Sequence, residues 1–207
     1  AYPECAGGQN DLEPDTLPSL QDWLDGLRCN AAGQAVWMQL TPSRLLQDAK
    51  KRSLRADLMI QPWLCSLAAA ASGTELRGLL VARDVWLEWE PLEPKAARTQ
   101  LDRWLYACRQ GLRAPLPLPR RTAGALLESD AAARTAYEGN SQMDGEALDP
   151  AWARFYPDYD ALAADGSLAQ AAQALWAPLE QWARDGVRVH DHGAASVAAA
   201  SSTEASL

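Results

Sequence analysis

Three prolines alternate with leucines in Pro115-Leu116-Pro117-Leu118-Pro119. Each ring fixes φ near the extended region and removes a backbone N–H, so neither a helix nor a complete sheet ladder can run through the segment. It must be an extended connection. It divides the chain into a mixed helix–strand portion before it and a helical, acidic portion after it.

Before the prolines, residues 20–27 (LQDWLDGL) and Ala35–Leu40 alternate in polarity. They read as two antiparallel strands around the turn signal Asn30-Ala31-Ala32-Gly33, although the first run also suits a helical turn. Residues 41–52 give no clear element. Residues 55–71 take a helical spacing with Leu58, Trp63 and Leu67 near one face; Pro62 is expected to kink this helix and Gly73 to end it. Residues 76–89 (LRGLLVARDVWLEW) read as a hairpin turning at Arg83-Asp84, with Val85, Leu87 and Trp89 on one face. Pro94–Gly111 is the clearest helix. Its expected inner face is Ala97, Leu101, Trp104, Leu105, Cys108 and Leu112, and its outer face Arg98, Asp102, Arg103 and Arg109.

After the prolines, Asp130 is expected to cap a helix over 131–138 that stops at Gly139. Asp149-Pro150 should start another over 151–156. Ser167 should cap a third over 168–184, kinked at Pro178, with Leu168, Ala172, Leu175, Leu179 and Trp182 inward. The expected organisation is an extended lead-in at 1–19, an α/β core at 20–128, a helical C-terminal extension at 129–189, and a flexible Ala/Ser tail at 190–207.

With 207 residues, 48% of them hydrophobic, the chain can bury one good core and is not disordered for most of its length. No apolar run reaches the roughly 18 residues of a membrane span. No basic-then-apolar leader opens the chain, and an Ala at position 1 leads us to expect a fragment or processed product. Four widely spaced cysteines without a CxxC suit reduced thiols. The net charge of −8 hides a division: residues 28–121 hold fifteen bases against eight acids, between two acidic flanks. That excludes a uniformly basic DNA-binding surface. It suits a domain meeting nucleic acid or an acidic partner on one side, or simply solvated helix faces. Walker, GxGxxG, HExxH and GxSxG motifs are absent from the sequence, which removes support for a nucleotide-driven motor and for the common hydrolases.

Several residues are candidates for chemistry. His190-x-His192 offers two imidazoles without an obvious third ligand, so no metal is assigned to it. Trp63 and Trp104 suit a core, whereas Trp86 is expected to be part-exposed, with base stacking or a partner contact the lesser alternative to a plain surface role. Asp25, Asp48-Ala49-Lys50 and Gln61 together resemble the carboxylate–lysine set of a Mg²⁺-dependent nuclease. Against that, Gln39 and Thr41 stand on the inward positions of the second strand and can supply neither acid nor base. Asp48 also reads as part of an exposed connection.

Five segments carry a resemblance: DWLDGLRCNAAG at 22–33, CRQGLRAPLPLPRRTAGALL at 108–127, ARTAYEGN at 133–140 with Gly145-Glu146 following, DPAWARFYPDYDAL at 149–162, and LWAPLE at 175–180. In these the chain resembles the C-terminal part of the RecC family, the gamma subunits of exodeoxyribonuclease V (the RecBCD helicase–nuclease), over about residues 20–188. The resemblance implies an α/β fold of the PD-(D/E)xK restriction-endonuclease-like class, a mixed sheet flanked by helices with a helical C-terminal extension, whose nuclease site has been lost. It implies DNA, RecB-like and RecD-like subunits as partners, no cofactor, no catalytic residue, and a bacterial cytoplasmic setting. Asp25 falls where active relatives hold a metal-binding Asp and is the candidate remnant. Lys50, Lys51, Arg52, Arg113, Arg120 and Arg121 are the candidates for DNA or partner contacts. An active Mg²⁺-dependent nuclease and a protein-interaction module unrelated to DNA are the alternative readings.

Overall fold

A computed structural model describes residues 24–29, 33 and 35–192. The expected lead-in at 1–19, the start of the first expected strand at 20–23 and the tail from 193 onward lie outside the described residues.

The chain enters through β1 (Leu27–Cys29) and β2 (Ala35–Leu40), makes a small hairpin of β3 (Leu46–Asp48) and β4 (Ser53–Leu54), and passes a 3-10 turn into α1 (Ile60–Ala71). β5 (Arg77–Val81), β6 (Val85–Trp89) and α2 (Pro94–Gly111) follow. After the proline segment come α3 (Arg120–Glu128), α4 (Asp130–Glu138), the short hairpin β7 (Gly139–Asn140) and β8 (Met143–Asp144), α5 (Pro150–Phe155) and α6 (Tyr159–Ala163). A closing helical stretch comprises α7 (Ser167–Ala171), a π-helical turn at Ala172–Trp176 and α8 (Ala177–Asp185), and the chain returns as β9 (Val187–Asp191).

The main sheet has the order β1-β2-β5-β6-β9. β2 and β5 are parallel, joined by the α1 crossover, and every other pairing is antiparallel. The architecture is therefore mixed α/β with helices packed on the sheet. Alternation on each strand sets the inner face: Trp37, Leu80, Val85, Leu87, Trp89 and Val187 are buried, under Trp63 and Leu67 of α1 and Trp182 of α8. Indole rings pack together here, with Trp63–Trp182 centroids 4.9 Å apart and Trp89–Trp182 edge to face at 5.4 Å. Trp89 lies across Gly78, its pairing partner on β5, and donates its indole N–H to Ser66 Oγ at 2.8 Å. A Cβ at Gly78 would sit 1.9 Å from that ring, so the position admits no larger side chain as packed. A second, smaller core gathers Ala133, Tyr137, Tyr159, Leu162 and Leu168.

The hairpin and α2 match their expected places, and Glu93 caps α2 by accepting from the N–H groups of Lys95 and Ala96. Other expectations change. The first strand lies at Leu27–Cys29, because Gly26 takes φ +80° and turns the chain just before it. Pro62 is the third residue of α1, where its missing N–H had no partner within the helix, and causes no loss. In α2, Cys108 and Leu112 are exposed while Arg109, expected outside, is buried. The apolar face of that helix stays turned to the core for its first three turns only. Ser129 caps α4 in place of Asp130, whose carboxylate accepts from the Tyr159 hydroxyl. Pro178 is accommodated by the π-helical turn just before it, a widened turn that relieves the clash with the preceding carbonyls. α3 was not expected as a separate helix. The boundaries also shift at the C-terminal end. α8 and Val187 belong to the first core, and His190 and Asp191, expected in the tail, are paired along β6.

Candidate nucleic-acid or partner interface

Four loops and strand ends meet at the C-terminal end of the parallel pair β2–β5. Thr41 donates its N–H to Val81 O at 2.9 Å, and Arg83 donates to Ser43 O at 3.2 Å, which binds the loop after β2 to the β5–β6 turn. Asp84 secures the junction by accepting from Leu45 N and Leu46 N at 3.0 and 3.1 Å. Partial burial works to raise its pKa, but those N–H groups and the nearby Arg44 outweigh burial and hold the carboxyl below its ordinary value.

The β3–β4 hairpin projects from this junction. Asp48 ends β3 and accepts from Lys50 N and Lys51 N at 2.8 and 3.1 Å, the turn-forming use of an aspartate. The Lys51 and Lys50 N–H groups lower the Asp48 pKa accordingly. Asp48-Ala49-Lys50 is thus a turn on a two-stranded ribbon and not part of the five-stranded sheet. Lys50 and Lys51 are exposed at its tip. Arg52 takes φ +53° and reaches back across the sheet edge. Its guanidinium bonds both Asp191 carboxylate oxygens, at 3.1 and 3.2 Å, and Val189 O at 2.9 Å. This candidate therefore ties the hairpin to β9 and satisfies an edge-strand carbonyl. Lys50, Lys51, Arg44 and Arg83 form no salt bridge among the described residues, whereas Arg52, Arg55, Arg77 and Arg98 each do.

The remaining expected residues fall in other places. Gln39 on β2 donates its side-chain N–H to Gln61 Oε1 on α1 at 3.4 Å, so the two amides meet above the sheet end. Asp25 is exposed in the turn before β1, not in a strand. The bond from Met38 N to Gly26 O extends the β1–β2 pairing by one residue, and the chain turns there at Gly26. Among the described residues no three His, Cys, Asp or Glu side chains are grouped so as to hold a metal. His190 stacks on Trp86 at 3.9 Å and meets Glu88 Oε1 at 3.0 Å, and His192 meets Ala82 O at 2.9 Å. Arg113 is exposed in the turn after α2. Arg120 and Arg121 open α3 beside a cavity of about 410 Å³ that Glu146, Asp149 and Trp152 also line.

Sequence reasoning missed the occupant of that helix start. Glu146 accepts from Arg121 N at 3.1 Å, and from Thr122 N and Thr122 Oγ1 at 2.8 Å each, filling the α3 N-terminus with a carboxylate from twenty-five residues away. It also missed a ladder of ion pairs, Arg77–Glu90–Arg188–Glu88, running across β5, β6 and β9. Arg77 and then Arg188 hold the Glu90 carboxyl below its usual range. Opposite charges facing each other on neighbouring strands were the available signal, but reading them requires the strand register.

A mixed sheet with helices packed on it and a cationic hairpin at one sheet end is the arrangement to be placed. The family model of the RecC C-terminal domain matches residues 7–131, and the chain belongs to that family. The match contains the whole sheet except β9, and it ends at the first residues of α4. Membership gives the chain a role related to RecC, within the RecBCD complex (exodeoxyribonuclease V) and DNA repair. No curated protein matches the chain. Among the described residues no helix is long and apolar enough to cross a membrane.

Proposed function

We propose that this domain is a non-catalytic part of a RecBCD-type helicase–nuclease, with a decayed PD-(D/E)xK core that handles DNA strands and scaffolds RecB-like and RecD-like subunits. The observation that carries the reading is the Gln39–Gln61 amide pair at the end of β2. A metal-dependent nuclease needs acid and base at such a place, and two neutral amides supply neither. Asp25, in the turn before β1, is then a remnant. One carboxylate holds Mg²⁺ poorly. The DNA-facing role falls to the hairpin tip, where Lys50 and Lys51 are exposed on a turn held by Asp48, with Arg44 and Arg83 at its base. Arg113, Arg120 and Arg121 remain candidates for a second contact with DNA or a partner, and Arg52 for holding the hairpin in place.

The test is DNA degradation by the purified chain with Mg²⁺ or Mn²⁺, beside Asp25→Ala and Asp48→Ala. No cleavage is expected; cleavage abolished by either substitution would make the domain a live nuclease and overturn the reading. In the assembled complex, Lys50→Glu with Lys51→Glu is expected to weaken DNA binding and to reduce the salt slope by about two, one per lost phosphate contact. Unchanged binding and slope would remove the hairpin from the DNA path.

A further inference from the structure

The five-stranded sheet has two faces, and the described helices cover one. Register places Val36, Met38, Leu40, Leu79, Val81 and Trp86 together on the other: Val36 and Met38 alternate with the buried Trp37, Met38 pairs with Leu79, Leu40 with Val81, and Val81 with Trp86. None of the six belongs to either hydrophobic core or packs against one. Leu40 is 71% exposed and Met38 37%. A contiguous apolar patch rimmed by polar groups marks an interaction surface.

The rim identifies the occupant. On the β6–β9 side the Arg77–Glu90–Arg188–Glu88 ladder consumes its own charges. On the opposite side Arg28, level with Val36, forms no salt bridge among the described residues. At the strand ends the same holds for Arg83 in the β5–β6 turn and Arg44 beside it. Arg44 has the Asp84 carboxylate nearby, which leaves Arg28 and Arg83 as the rim cations without an acidic partner among the described residues, with the exposed Asp25 the acid before β1.

We propose that this face is the seat of a partner subunit, and that the partner lays on it a helix with an apolar stripe and an acidic edge. The helix covers the apolar residues of this face, and its carboxylates meet Arg28 and Arg83. The proposal rests on the reading of the chain as a scaffold for RecB-like and RecD-like subunits, and it assigns the surface by which the scaffold holds one of them.

The three methionines of the sequence provide an internal ruler. Met38 lies on the face, Met143 is equally exposed at 39% on the β7–β8 hairpin, and Met59 is fully buried. Peroxide oxidation of the full chain, alone and mixed with the RecB-like or RecD-like subunit, is followed at each methionine by mass spectrometry. Met38 is expected to oxidise as readily as Met143 in the chain alone at every dilution, and at least tenfold more slowly in one of the mixtures, with Met143 unchanged. Leu40→Glu should weaken assembly with that subunit at least thirtyfold, while Leu112→Glu, on an equally exposed leucine after α2, changes it less than twofold.

Protection of Met38 in the chain alone would overturn the proposal: independent of concentration, it names a segment of the chain itself as the cover, and dependent on concentration, a second copy. Assembly that survives Leu40→Glu with Met38 still reactive would overturn the docking face and leave the scaffold reading standing. Failure of the unmodified chain to join either subunit would remove the scaffold reading, and the docking face with it.

Discussion

Trp89 shows how one residue organises its surroundings. It is buried, covers Gly78 on the neighbouring strand, stacks edge to face on Trp182 and donates to Ser66 on α1. Gly78→Ala is therefore expected to cost about 2 kcal/mol or more, because the ring has to move within a close-packed interior. Urea unfolding followed by tryptophan fluorescence measures it, and an unchanged midpoint would contradict the packing described. Two phenols make a pH prediction. Burial, joined by nearby carboxylates, pushes the hydroxyls of Tyr137 and Tyr159 up to about 12. Their pKa values are raised on folding, so their contribution to stability is complete below about pH 10 and is lost as pH rises through about 12. Thermal melts between pH 9 and 12 should show that loss, and Tyr159→Phe should make it shallower. Inward-facing residues were legible where strict alternation held, as for Val85, Leu87 and Trp89. The buried Arg109 was not legible, since a charged residue on a helix gives no sign of burial until its neighbours are known.

At the scale of elements, termini depend on partners distant in sequence. Local capping was readable at Asp149, which stands before Pro150 and accepts from Ala151 N; the Glu93 cap of α2 was not named from the sequence. The start of α3 was not readable, because Pro119 offers no capping side chain and Glu146 supplies the carboxylate from another loop. Glu146→Ala is expected to cost about 1–2 kcal/mol, the value of a lost N-terminal cap, and to leave the buried Thr122 hydroxyl without its acceptor. Hydrogen exchange at Thr122 and Ala123 would report it as faster opening of α3 alone, while uniform destabilisation would argue against a local cap. The candidate site followed the same division. Lys50-Lys51-Arg52 was visible as a basic run, but only the folded β3–β4 hairpin divides it into two exposed lysines and an arginine engaged with β9.

For the whole molecule, the closing strand decides which parts fold together. β9 is the last described strand, pairs along the full length of β6, and contributes Val187 to the core beneath α8. Truncation after Gly186 is therefore expected to lower Tm by at least about 10 °C, since burial of Val187 and five residues of pairing are lost at once. A truncated chain melting with the full-length one would show that the sheet is complete without its fifth strand.

Periodicity and turn residues in the sequence by themselves determined α2, the β5–β6 hairpin and the inward face of the last helix, because each rests on interactions within a few residues. The family was legible for a related reason: its motifs are local strings. Tertiary structure alone decided that Val187–Asp191 closes the sheet, that Glu146 caps α3, that Gln39 meets Gln61, and that the described helices all pack on one face of the sheet. Each of these depends on groups far apart in sequence, and no local pattern records which distant residue comes to lie beside them.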